Sequence, residues 1–565
     1  MQGKKALRTQ MFAGMLCLMT LLMAACGQSG STGNVQKAAD DQQIFKYPMS
    51  GKQDFGTLDP ALVQDATDGY AIQAIFTGLV EFDAQGQVQD QLATSHTVSA
   101  DGLTYTFKLK PNLTFSDGAA LTAQDVAYSI NRSLDPATKS AVTSYLSLLK
   151  DSDKMASGAV KTLIGDSIIV VDPSTIKLVI NQPAAYFLQT LTYPTAYVVE
   201  QKLIEKYGTA WTDHLQEGGG NGPFKVQSYN HTTGLILVPN EHYYGKMPQL
   251  KRLEMPFSGD LDTTYKAYLS KQYDYTTLTA AQVPNSKNRN DFHENPTLVT
   301  RYLSLNYLAK PFDNIKVRQA LALALKKELI TKNVLQDSVQ ATNHMIPEGM
   351  YGASKNLTGP AGVTSVNGDA AKAKQLLAEG LKEEGLSSFP DVTFTYYTGN
   401  SSIKKITDAV LSQWQAVLGI TMKTNAIDFD ALIQAEGATT GHADPLQVWI
   451  SAWQADYPDP QDWLSIYFEK GASYNNNNYG QNNSTSAAAQ QAVQAKLVAA
   501  DKETDVTKRA QLYNEAEQQL VNDVAWIPLY QSVNHTLINP KVQGYVDNAL
   551  LIIPPDDWSK VYIAR

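Results

Sequence analysis

The sequence predicts a mixed α/β protein in at least two lobes. Strand patterns of period two are interleaved with amphipathic helix patterns along most of the chain. Its 565 residues exceed what one hydrophobic core usually organises. No self-similarity of solenoid or propeller period is visible, so the elements belong to layers rather than stacked repeats.

The elements follow in order. Lys4, Lys5 and Arg8 form a positive segment, and an apolar run from Met11 to Ala25 precedes Cys26. That is a secretory signal, and the run is too short for a permanent membrane span, so residues 1–25 are expected to be removed. Cys17 leaves with them. Cys26 is then the lone cysteine of the mature chain, which excludes an internal disulfide, a second thiol nucleophile and a thiolate metal cluster. Residues 26–43 are small and polar and read as a flexible tether.

Order is expected from about Ile44. TYTFKLK (104–110) alternates in period two, IIVV (168–171) and TIKLVI (175–180) flank an Asp172-Pro173 turn, and LILV (235–238) ends at Pro239. Thr122 to Arg132 reads as a helix, with Thr122 and Asp125 approximating a capping box. Farther on, VRQALALALKKELI (317–330) predicts one continuous helix, and AAKAKQLLAEGLKEEG (370–385) predicts another, stopped by Gly385. DVTFTYYTG (391–399) and LQVWISAW (446–453) read as strands, with a helix between them ending at Leu418-Gly419. An asparagine-rich loop (474–483) and two helices between 486 and 522 complete the second half.

Charge and motifs narrow the function. The net charge is −9, and the leader holds three positive residues and no acid, so the mature chain is more acidic still. This argues against a nucleic-acid partner. The eight histidines include no His-Glu-x-x-His, and there is no Gly-x-Ser-x-Gly elbow and no Walker A loop. Gly218-Gly219-Gly220-Asn221-Gly222 is followed by Pro223, which suits a tight loop entering a strand better than a dinucleotide loop. A glycosidase-type carboxylate pair is left open by the number of acids. The sequence otherwise points away from an enzyme, and to no metal or cofactor.

One turn carries a positive signal. Trp453, Asp456, Tyr457, Asp459 and Trp463 cluster with two prolines directly after an apolar strand. Loops held by a rigid strand are where binding residues concentrate, and paired acids with aromatics can hold a cation. The competing reading is a surface turn whose tryptophans pack on the core.

Several blocks, in a fixed order, resemble the extracytoplasmic solute-binding proteins of peptide ABC importers (family 5, oligopeptide- and dipeptide-binding type). They are GTLDPALVQDATDGYAIQAIFTGLVEFD (56–83), residues 91–136, NGPFKVQSYN (221–230), NEHYYG (240–245), residues 311–330 and SAWQADYPDPQDWL (451–464). Ala24-Ala25-Cys26 likewise resembles a bacterial lipobox, with Met23 where Leu is usual. These resemblances imply a lipid-anchored receptor at the extracytoplasmic face of the membrane, joined to it through Cys26. The implied fold is the two-lobed periplasmic-binding-protein-like α/β type of class II. Lobe 1 would span 44–300 with an extra subdomain at about 84–215, lobe 2 would span 301–522, and 523–565 would return to lobe 1. The implied function is to bind a peptide in a closing cleft and deliver it to a permease, as a monomer without a cofactor.

By the same resemblance, Asp456 pairs with the peptide's α-ammonium, and Tyr457 belongs to the same turn. The ligand backbone would pair with Gly56, Thr57 and Leu58 on one lobe and with Ser451, Ala452 and Trp453 on the other. Arg301, His344, Lys404 and Lys405 stay open as the cation for a ligand carboxylate. Other solutes on this fold (oligosaccharide, nickel chelate or haem), a peptide-presenting sensor and a surface hydrolase are the alternatives.

Overall fold

Two long antiparallel strands, Phe292–Leu305 and Ile527–Ile538, connect the two lobes in the computed structural model, which describes residues 36–565. Their pairing is interrupted between Pro296 and Thr300, because proline has no N–H to give the ladder. On one side of this break the strand 527–538 pairs with Tyr275–Thr277; on the other, 292–305 pairs with Val448–Gln454. Residues 527–531 therefore still lie in the second lobe's sheet, and the chain returns to lobe 1 inside this strand, later than residue 523.

Lobe 1 is built on a sheet in which Ile44–Lys46 runs parallel to Arg252–Ser258, followed by Gly234–Pro239 and Phe224–Asn230 in antiparallel order. A four-stranded antiparallel sheet of Ala93–Val98, Thr104–Leu109, Thr175–Val179 and Ile168–Asp172 forms a separate layer. Phe107, Ile176 and Leu178 from that sheet are fully buried, as are Val126 and Ile130 of the helix Ala123–Leu134. Thr122 caps that helix, and Asp125 accepts from the Thr122 N–H at 2.8 Å, completing the capping box. The glycine loop enters the strand 224–230. Gly220 and Gly222 are required by proximity, since a Cβ on either would lie 2.7 Å from the Ile75 main chain.

In lobe 2 the sheet continues from Val448–Gln454 to Thr393–Tyr397 and Lys423–Ile427, now parallel. Helices Ile315–Leu323, Ala370–Glu383 and Ser401–Leu418 cover it, and Leu321, Phe394, Trp414 and Trp449 are fully buried between the layers. Among the described residues no helix is long and apolar enough to cross a membrane.

Two sequence expectations are corrected. The single helix over 317–330 is two helices, Ile315–Leu323 and Lys327–Asn333. The segment 365–369 intervenes: Asp369 N–H donates to the Leu323 carbonyl at 2.9 Å and Lys327 N–H donates to Val366 at 3.1 Å. Residues 36–43, read as part of the tether, are instead pinned to the C-terminus. Ala38 N–H donates to the Ile563 carbonyl at 2.9 Å, and the fully buried Gln43 amide donates to both Ala38 and Ile563. The signal segment 1–25, Cys17 and Cys26 lie outside the described residues.

Candidate functional site

The strand Val448–Gln454 organises the cleft between the lobes. One edge pairs with 299–305 along its whole length, whereas the other meets 393–397 only at Val448 and Trp449. From Ser451 onward that second edge has no strand beside it. Ser451, Ala452, Trp453 and Gln454 line an interlobe cavity of about 1330 Å³. The apolar Val448, Trp449 and Ile450 anchor the strand in the core, which fixes the position of everything after it.

The turn that follows carries three aspartates with three different fates. Asp459 is neutralised by Arg509, whose guanidinium donates to both carboxylate oxygens at 2.6 and 2.7 Å; both side chains are buried. Asp462 is held by the turn itself, accepting from Asp456 N–H at 2.9 Å and from the Trp453 indole at 3.3 Å. Asp456 alone faces the cavity. The Tyr145 hydroxyl, from the other lobe, donates to it, and no cation lies within 4.0 Å among the described residues. Burial pushes the Asp456 carboxyl up to about 7, and the Tyr145 hydrogen bond opposes that rise only in part. Tyr145 is itself held by stacking on Tyr193, with ring centroids 3.7 Å apart and planes 8° from parallel.

Arg301 is the opposite case, a cation without an acid. It lines the same cavity from the strand 292–305 and donates to the Tyr397 hydroxyl at 2.6 Å, with its guanidinium 5.6 Å from that ring. It forms no ion pair with any described residue, and its buried Nε has no partner. A further acid, Glu436, accepts from the Trp449 indole at 2.8 Å, and burial pushes its carboxyl up to about 7.

The first lobe's wall is the start of the helix Ala66–Ile75. Asp65 caps it, accepting from Thr67 N–H, and Gln64, Asp65, Ala66, Thr67 and Tyr70 line the cavity. Lys52 lies 2.5 Å from Asp65 and 3.1 Å from Asp68, and reaches Asp430 of the second lobe at 3.4 Å. Together with Tyr145–Asp456, this contact bridges the lobes across the cleft.

The predicted site residues separate on this geometry. Ser451, Ala452, Trp453 and Asp456 line the cleft together. Gly56, Thr57 and Leu58 do not: Thr57 N–H donates to Asp68 at 3.2 Å, a Cβ on Gly56 would meet that same carboxylate, and Leu58 is core. Asp59 and Pro60 start a turn after them, so the chain reaches the cleft only at residues 64–67. Tyr457 is also displaced, packed in the core against Tyr145 and Tyr186 with its hydroxyl bonded to Gln461. Of the four candidate cations only Arg301 lines the cleft. His344 sits 3.8 Å from Glu517, Lys404 pairs with Asp408 at 2.7 Å, and Lys405 is exposed on that same helix.

Sequence reasoning missed Tyr145, Asp65 and Tyr474. No local pattern marks Tyr145. The asparagine loop was visible, but its role was not: Asn475, Asn477 and Asn478 are buried, and Asn477 donates to the Ala525 carbonyl at 2.6 Å. Their amides tie the loop to lobe 2, so that Tyr474 and Asn476 face the cavity.

Comparisons with known proteins converge. The family described as bacterial extracellular solute-binding proteins, family 5 middle, matches residues 87–475. The oligopeptide-binding protein OppA of Bacillus subtilis is 27% identical over 542 residues, covering 94% of this chain and 96% of the relative. Heme-binding protein A of Haemophilus influenzae is also 27% identical, over 563 residues, with 94% and 96% covered. Among solved structures, a periplasmic oligopeptide-binding protein from Borrelia burgdorferi, OppAIV, matches with a TM-score of 0.78 at 27% identity, covering 90% of this chain and 97% of its own.

Proposed function

The chain belongs to the bacterial extracellular solute-binding proteins of family 5, and from that membership we propose that it is a peptide receptor of an ABC importer. It closes its lobes around a peptide and presents the closed form to a membrane permease. In this reading it works as a monomer, without catalysis, cofactor or nucleic acid, and a lipid on Cys26 holds it at the outer face of the membrane.

One observation carries the reading. A single cavity holds an acid with no cation, Asp456, a cation with no acid, Arg301, and an unpaired strand edge from Ser451. A free peptide offers the complement of all three: an ammonium, a carboxylate and a backbone that can add to a sheet edge. Asp456 takes the ammonium and Arg301 the carboxylate. The ligand backbone runs along 451–454, with residues 64–67 closing on it from the other lobe. Backbone recognition of this kind leaves side chains free to vary, so many sequences can be accepted.

The relative named for oligopeptides supports this reading, and the relative named for haem defines its competitor. The test is to denature the purified protein and analyse what it releases by mass spectrometry, and to titrate the emptied protein with short peptides and with haem. Peptides in the released fraction and heat on peptide titration are expected. A Soret band with no peptide binding would replace this reading with the haem one.

A further inference from the structure

A second cavity, of about 1060 Å³, opens beside the cleft; Thr67, Tyr70, Arg301 and Gln454 line both. Its other walls come from lobe 1. Tyr47 and Tyr275 stack with centroids 4.5 Å apart, and Tyr545 packs against them at 6.3 and 5.7 Å. Among these rings sits Asp547. Its carboxylate accepts from the Thr536 hydroxyl at 3.0 Å and from the Tyr545 hydroxyl at 3.1 Å, and no lysine or arginine among the described residues pairs with it. Burial raises its carboxyl above the usual range, relieved by those two hydroxyls and weakly by His293, which is exposed. Arg301 does not answer it, because that guanidinium is bonded to Tyr397, which lines the main cleft and not this cavity.

A partly buried carboxylate with neutral partners only is costly until a cation reaches it. The cavity is far larger than an ion, and one carboxylate among tyrosine rings is a poor metal donor set. Aromatic faces beside an acid instead suit an alkyl stem ending in a positive charge. We infer that this cavity is a subsite for a cationic side chain of the bound peptide, a lysine or arginine, with Asp547 meeting the charge and Tyr47, Tyr275 and Tyr545 covering the stem. The inference rests on the peptide reading above and adds a side-chain preference to it. Because Arg301 stands at the junction of the two cavities, the preferred position lies toward the ligand's carboxyl end.

The test is calorimetry with a peptide series in which one lysine is moved along an otherwise neutral sequence, each member compared with its norleucine counterpart. Norleucine keeps the stem and removes the ammonium. At one position near the carboxyl end, wild type should prefer lysine by about ten- to a hundredfold, the range of a hydrogen bond to a charged group. Asp547→Asn should abolish that preference while binding the norleucine peptides as wild type does; Asp547→Glu should retain much of it. Peptides that bind with no lysine preference, or a preference that survives in Asp547→Asn, would overturn the subsite and leave the peptide reading standing. Absence of any peptide binding to wild type would overturn both. Should Asp547→Asn not fold, a crystal structure of wild type with the preferred peptide decides. The lysine ammonium is expected within hydrogen-bond reach of Asp547, and any other location overturns the assignment.

Discussion

The hydroxyl of Tyr145, in the first lobe, donates a hydrogen bond to the carboxylate of Asp456, in the second. The two residues are 311 positions apart, and their meeting defines one end of the cleft. A hydroxyl satisfies a carboxylate geometrically without cancelling its charge. Asp456 is therefore left as a buried acid whose strongest partner is neutral, which is the state a cationic ligand group would improve most.

Asp456→Asn keeps the shape of the site and removes the charge. Binding of a free peptide should weaken by about 2–5 kcal/mol, as when one partner of a buried charge pair is lost. An N-acetylated peptide should bind wild type poorly and lose little more in the variant, so the double comparison isolates the charge pair from general damage. Equal binding of both peptides by both proteins would remove Asp456 from the site.

The raised Asp456 carboxyl, at about 7, gives binding a pH signature. A bound ammonium favours the ionised form, so binding expels a proton whenever the free site is protonated. Affinity should therefore rise as pH approaches about 7 and level off above it. Stability runs the other way: the folded chain holds this proton more tightly than the unfolded chain, so the contribution is fullest at low pH and is lost as pH rises to about 7. Calorimetry at about pH 6 in buffers of different ionisation heat should detect proton release in wild type and not in Asp456→Asn.

Asp459 should behave as structure. Its partner Arg509 is buried with it, and Arg509→Ala would strand an unpaired acid in the core. A loss of about 3–5 kcal/mol in denaturant unfolding is expected. Asp456→Asn, by contrast, should leave unfolding nearly unchanged or slightly favoured.

Lys327 is buried, donates to the Thr342 carbonyl at 2.9 Å and to Asn343 at 2.6 Å, and is pushed by burial from 10.5 down to about 7. The unfolded chain binds this proton and the folded chain releases it, so stability from this group rises between about pH 7 and 10 and falls away below. Lys327→Met should melt higher than wild type near pH 7, by a few degrees, and the gap should close as pH is raised to about 10. Scanning calorimetry across that range would check it; a gap independent of pH would mean that Lys327 is charged in the fold.

Cys26→Ala should release the protein from membranes while leaving ligand binding intact, because the residue precedes a polar segment and lies outside the lobes. Detergent-free fractionation reads this directly. Equal membrane partition of wild type and variant would eliminate the lipid anchor.

The sequence by itself determined what short-range interactions encode. The alternation of 104–109, the Thr122–Asp125 box, the helix stops at Gly385 and Gly419, and the strand that delivers Asp456 were all legible, because each is written within a few residues. The order of blocks also carried the family. Tertiary structure decided whatever depends on partners far along the chain. It split 315–333 by inserting 365–369, and it tied residues 36–43 to the last strand. It brought 64–67 rather than 56–58 to the cleft, left Arg301 without an acid while giving His344 and Lys404 theirs, and set Tyr145 against Asp456. A carboxylate in sequence looks the same whether its counter-charge is an arginine fifty residues on, as for Asp459, or a ligand yet to arrive. Only the packing that excludes water around each one separates the two cases.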